Sequence, residues 1–123
     1  MAFTWANFLA VAEKLRELGD EASLRASVSR AYYAAFGETR DFLEGERGKQ
    51  FAEDSVHKSV SDCLDASGIS ARQVFGSNLR QLKFQRVRAD YKANLLVDTR
   101  FADKALADAS QLLLDLETMK LRP

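Results

Sequence analysis

The chain has 123 residues, 46% hydrophobic and 29% charged, with 18 acidic and 18 basic side chains and no net charge. This is one domain's length and enough to bury a core without metal or cross-links, the composition is that of a globular rather than a disordered chain, and overall charge carries no argument for a nucleic-acid partner. One cysteine, Cys63, excludes an intramolecular disulfide and a thiolate metal site within one chain.

The only proline is the terminal Pro123, so no interior position breaks a helix, and helix-forming residues are plentiful. The expected fold is therefore all-α, an up-and-down bundle of about five helices in a single domain over 1–123. Helix one is expected to start after Thr4 and stop near Gly19, with Phe8, Val11, Leu15 and Leu18 on its inner face. Helix two is expected from Glu21 to Glu44. Leu24, Val28, Ala31, Ala35 and Phe42 line one face, widened by Tyr32, Phe36 and Leu43. The small side chains Ala31, Ala34 and Ala35 allow another helix to approach closely. Residues 45–49, GERGK, read as a polar loop.

Helix three is expected over Asp54 to Ala66, with Val56, Val60, Cys63 and Leu64 inward and Gly68 beyond its end. Ser70 is the expected cap of helix four, which runs to about Tyr91 with Phe75, Leu79 and Leu82 as its early stripe; Gly76 weakens its first turns. An apolar connection, ANLLV at 93–97, leads to a last helix capped by Asp98 or Thr99. Its face is Phe101, Ala105, Leu112, Leu116 and Met119. Helices two, four and five are expected to form the main packing unit.

Charge is unevenly distributed. Residues 71–92 carry Arg72, Arg80, Lys83, Arg86, Arg88 and Lys92 against Asp90 alone, while both ends of the chain are acidic. One basic helix on a neutral protein can still focus a positive potential. On that helix the apolar stripe continues onto Arg86, where a guanidinium turned inward needs a carboxylate, a carbonyl or a ligand phosphate. Asp90, one turn on, can be its partner, so Arg86 is either a structural clamp onto helix two or five, or part of a site facing RNA. Arg80, Lys83 and Arg88 point elsewhere around the helix, as a solvated or phosphate-contacting face.

In helix two, Tyr32 and Tyr33 point about 100° apart. They are either core-rim tyrosines with bonded hydroxyls, or Arg30 and Tyr33 edge a polar cleft. His57 is the only histidine, structural or exposed in one reading and a catalytic candidate in the other. No nucleophile–base pair, zinc ligand set, phosphate loop or dinucleotide motif is present, so no metal and no cofactor are expected. No apolar run of about 18 residues is available to cross a membrane. The first residues lack the cationic segment of a secretory signal, and the expected compartment is a reducing cytoplasm.

Two segments in this order, SRAYYAAF at 29–36 and RVRADY at 86–91, resemble the HEPN superfamily (higher eukaryotes and prokaryotes nucleotide-binding), closest to its small prokaryotic branch with a Tyr-Tyr-Ala-x-Phe signature. The resemblance extends over roughly 4–119. It implies a bundle of four or five helices, commonly a homodimer, in toxin–antitoxin, defence or RNA-processing systems, often beside a nucleotidyltransferase. Many such proteins are metal-independent endoribonucleases that use an Arg followed four to six residues later by a His. Here no His follows Arg80 or Arg86, and Tyr91 stands where it is expected after Arg86. Tyrosine, with a pKa of about 10, is a poor base at neutral pH.

The leading expectation is thus an RNA- or nucleotide-binding HEPN module. Arg80, Lys83, Arg86 and Arg88 meet phosphate or carboxylate, Asp90 orients Arg86, and Arg30, Tyr33 and Tyr91 line the same cleft. The alternatives are a ribonuclease using Arg86 with Tyr91 or His57, and a purely structural dimerisation module. The resemblance also makes Tyr91 a candidate acceptor for modification by the nucleotidyltransferase.

Overall fold

The computed structural model describes residues 2–122; Met1 and Pro123 lie outside them. The described chain is all-helical, with α1 (Asn7–Leu18), α2 (Glu21–Arg47), α3 (Val56–Asp65), α4 (Ser70–Tyr91) and α5 (Thr99–Leu121), and a 3-10 turn at Glu53–Ser55 leading into α3. Among these helices none is long and apolar enough to cross a membrane.

The bundle is organised around α2, which is buried on nearly every side. Ser27, Val28 and Ser29 are all buried in sequence, as are Ala34, Ala35, Phe36 and Gly37. Consecutive burial around a helix requires neighbours on all faces, and small side chains let them come close. α1 runs antiparallel to α2, with Trp5 against Gly37 at one end and Ser27 Oγ donating to Ala12 O at 2.6 Å at the other. α4 also runs antiparallel to α2, from Glu46–Arg72 to Arg25–Ala89. The core continues through Val60 and Leu64 of α3, Leu79 and Leu82 of α4, and Leu112 and Leu116 of α5. Each fully buried leucine contributes roughly 1.5–3 kcal/mol.

Two local devices fix the ends. Asp20 caps α2 by accepting from Ser23 N at 3.0 Å, and Asp98 caps α5 by accepting from Phe101 N at 2.9 Å. The Arg25 guanidinium then ties α2 to the far end of α4, donating to Ala89 O at 2.9 Å, Lys92 O at 3.1 Å and Leu95 O. Glu21 holds Arg25 in place and accepts from Val97 N at 3.2 Å. The peptide segment 93–97 is therefore pinned by side chains of α2, with Val97 buried beneath it.

Several expectations are corrected. The inner side of α1 is Ala12 with Leu9 packed beside it, while Val11 and Leu18 are 43% and 68% exposed. An apolar stripe on a 12-residue helix overlaps several possible faces, and the small Ala12 wins because it admits α2. α2 runs through Gly45 to Arg47 and ends at Gly48, whose φ of 71° is the left-handed cap, so the polar loop begins later than its composition implies. Ser70 is the first residue of α4 rather than its cap, and Ser67 Oγ instead accepts from Ile69 N at 3.2 Å. Gly76 does not loosen α4. A Cβ there would lie 3.2 Å from Leu64 Cβ, so the glycine lets α3 sit close against α4. The packing unit of α2, α4 and α5 omits α1, which lies most extensively of all against α2.

Gly37 is the tightest point. A Cβ built there would stand 2.2 Å from Trp5 Cγ and 2.6 Å from Trp5 Cβ. Gly37→Ala is expected to destabilise the fold by about 1–3 kcal/mol through overpacking, despite the better helix propensity of alanine. Urea denaturation followed by Trp5 fluorescence checks this; a midpoint equal to or above that of the parent protein contradicts the close approach.

Candidate functional site

The site forms where α2, α3 and α4 meet. Tyr32, at the middle of α2, is 1% exposed, and its hydroxyl lies 2.7 Å from Nδ1 of His57 at the start of α3. The His57 ring stacks on Phe36 with centroids 4.3 Å apart and meets the edge of Tyr33 at 6.0 Å. Burial pushes the Tyr32 phenol well above its ordinary pKa, against the pull of Arg86. Burial, with the charges of Lys83, Arg86 and Arg40 added, pushes His57 down to about 4. At neutral pH both groups are uncharged. The Tyr32 hydroxyl and His57 Nδ1 share one hydrogen bond, whose direction follows the tautomer of the imidazole.

Arg86 is turned inward as its place in the α4 stripe predicts, and is 7% exposed. Asp90, the expected partner, meets it, and two aromatic faces that spacing does not reveal stand beside it. Its guanidinium carbon lies 5.4 Å from the Tyr32 ring centre and 5.3 Å from that of Tyr33. Its ion pair with Asp90 is loose, Nη1 donating to Oδ2 at 3.4 Å, and its Nε is buried without a partner. Ser29 Oγ donates to the same Oδ2 at 3.3 Å, so Asp90 joins α4 to α2. Aromatic faces thus supplement the one carboxylate that meets the inward charge. Desolvated cation–π contacts of this kind are worth up to about 2 kcal/mol or more each. Arg86 acts on the site through its field and its packing.

A cavity of about 390 Å³ opens beside this cluster, between α3 and α4. His57, Lys58 and Ser61 bound it on one side, Arg80 and Lys83 on the other, and Tyr32 reaches it from α2. Arg80 is fastened across it, Nη1 donating to Ser61 Oγ at 2.7 Å and to Asp65 Oδ2 at 2.9 Å. Lys58 pairs with Asp62 at 2.6 Å. Lys83 forms no ion pair among the described residues. Asp62 and Asp65 also line the cavity, each paired with a cation of its wall, so Lys83 is the ammonium left there without an ion pair, beside a neutral imidazole. No group of acidic, His and Cys side chains that could hold a metal ion occurs among the described residues.

The residues expected to act together divide into separate groups. Arg30 and Tyr33 do meet, the guanidinium 5.2 Å from the ring centre, and Arg30 also covers Phe8 at 4.9 Å. Tyr33 thus lies between Arg30 and Arg86, with Asp90 near by. Tyr91 is not in that cleft. It is 72% exposed, and five residues after Arg86 it lies about 140° around the helix. Arg88 parts from Arg80 and Lys83 as well, covering Phe84 at 5.3 Å and Phe101 of α5 at 5.9 Å. Arg86 is thus buried, Arg80 and Lys83 edge the cavity, and Arg88 turns toward α5. Sequence spacing does not reveal that Tyr32 is the partner of His57, because the two are 25 residues apart and on different helices.

The depressed pKa of His57 has a consequence for stability. Below about pH 6.5 the unfolded chain binds a proton that the folded chain refuses until about pH 4. Stability should fall as pH drops from 7 to 5, by about 1 kcal/mol once screening of a half-exposed ring is allowed for. His57→Gln, which keeps an acceptor for Tyr32, should flatten that slope in urea titrations at the two pH values; an unchanged slope removes His57 as its source. Comparison with protein-family models, with curated proteins and with solved structures finds no match to this chain.

Proposed function

We propose that the chain is an HEPN-type helical module that binds RNA without cleaving it, holding phosphate at the cavity between α3 and α4. The family part of this reading rests on SRAYYAAF and RVRADY, and is supported by the five-helix architecture. The observation that carries the rest is the Tyr32–His57 hydrogen bond beside Lys83. A general base works best with a pKa near the operating pH and a free lone pair. His57, near 4 and with Nδ1 engaged by the Tyr32 hydroxyl, is poorly matched to that role, whereas its neutral ring in the Nε2–H form would donate to a phosphate oxygen. Lys83 supplies the charge. A homodimer, a nucleotidyltransferase partner and a toxin–antitoxin or defence role follow from the resemblance, a cytoplasmic setting follows from the single cysteine, and all form part of the same proposal.

One observation favours the ribonuclease alternative. His57 lies in the field of Arg86, and both rest against Tyr32, so an Arg and a His come together although they are far apart in sequence. In that reading Arg86 stabilises charge on phosphate and a titrating His57 moves the proton.

Purified protein mixed with labelled RNA in chelator at low salt separates the readings. Binding without cleavage is expected, with log affinity falling linearly against log salt. Lys83→Ala should weaken binding for all sequences alike and reduce the magnitude of that slope by about 1. Metal-free cleavage lost in Arg86→Ala establishes the enzyme instead, and no binding at low salt leaves the dimerisation module.

A further inference from the structure

On the outer side of α4, away from the Tyr32 cluster, the structure places a second set of side chains that shares only Arg80 with the cavity. Arg80, Phe84 and Arg88 recur every four residues, and Tyr91 follows Phe84 by seven, so all four fall on one face of the helix. That face is opposite the buried stripe of Leu82, Arg86 and Ala89. Phe84 is 60% exposed and Tyr91 72%. Two large rings left in solvent about 10 Å apart along one helix contribute nothing to the core. Cations are interleaved with them. The Arg88 guanidinium covers part of the Phe84 ring at 5.3 Å and is steadied by Gln85 Oε1 at 3.2 Å. Lys83, Arg88 and Lys92 have no carboxylate partner among the described residues. Beside Phe84 a shallow depression of about 350 Å³ is edged by the amides of Gln81 and Gln85 and by Lys104 of α5.

We infer that this ridge is a stacking platform for an unpaired RNA strand, one base lying on Phe84 and another on Tyr91, with the intervening phosphates on Arg88 and Lys83. The inference rests on the RNA-binding reading above and names the form of RNA. Every base has a π-face, and stacking on an aromatic side chain needs that face free, which a duplex does not allow. Rings alone would equally suit a protein partner, but the charge around them favours a polyanion. A second copy of this chain docked symmetrically on the same ridge would set its own Arg88 and Lys92 against their counterparts, like charge facing like. A nucleic-acid strand meets the same cations with phosphate.

Fluorescence anisotropy with a labelled oligouridine of about twelve nucleotides tests the platform. Phe84→Ala and Tyr91→Ala are each expected to weaken binding about fivefold or more, while Tyr91→Phe retains it, because stacking does not need the hydroxyl. An RNA duplex of equal length should compete poorly. Both side chains are exposed, so the melting temperatures should match that of the parent protein. If Lys83→Ala weakens binding but neither ring substitution does, the platform is wrong and the phosphate site stands. If the parent protein binds no oligouridine at low salt, both fall. If Phe84→Ala reduces the sedimenting mass and leaves RNA affinity unchanged, the ridge is a self-contact and the inference is overturned.

Discussion

A helix buried on all sides has little room for polar atoms, and α2 is such a helix. Its buried hydroxyls must be satisfied locally. Thr39 Oγ1 donates to Ala35 O at 2.7 Å, and Ser27 donates across to α1. Its small side chains bring α1 and α4 close, and Trp5 against Gly37 sets how close. The positions of α3, α4 and α5 follow from what remains of the α2 surface. A single added methyl group at Gly37 therefore bears on the whole bundle rather than on one turn.

The same constraint shapes the chemistry. Arg86 enters an interior that provides aromatic faces and one loosely held carboxylate. The charge is kept by the rings of Tyr32 and Tyr33 and by a shared contact with Asp90 and Ser29. Its field, with those of Lys83 and Arg40, reinforces burial in keeping His57 neutral. A histidine kept neutral and hydrogen-bonded to Tyr32 is poorly matched to proton transfer near neutral pH, which supports the proposed binding role. The guanidinium that packs the core and the imidazole that faces the cavity are thus energetically coupled without touching.

α4 serves two surfaces at once. Its inner stripe completes the core, one flank edges the cavity shared with α3, and its outer ridge carries Phe84 and Tyr91 between cations. A strand of RNA crossing from the cavity to the ridge would pass Lys83 and Arg80, which lie between them in helical position. The two proposed contacts are therefore parts of one path on the protein surface, one electrostatic and one aromatic.

Composition and periodicity were enough for the fold class. With no interior proline and apolar residues at spacings of three and four, the chain had five helices to form, and Gly19 and Asp98 mark two of their ends. The inward turn of Arg86 was equally legible, because it continues a stripe already begun by Phe75, Leu79 and Leu82. Periodicity reports which face of a helix is buried but not what lies against it. For that reason α1 took Ala12 rather than Val11 as its inner residue, and Gly76 proved to be a contact rather than a weakness. The pairing of His57 with Tyr32, the aromatic housing of Arg86 and the separation of Tyr91 from both arise between helices, where sequence distance carries no information. They were decided only when the bundle closed around α2.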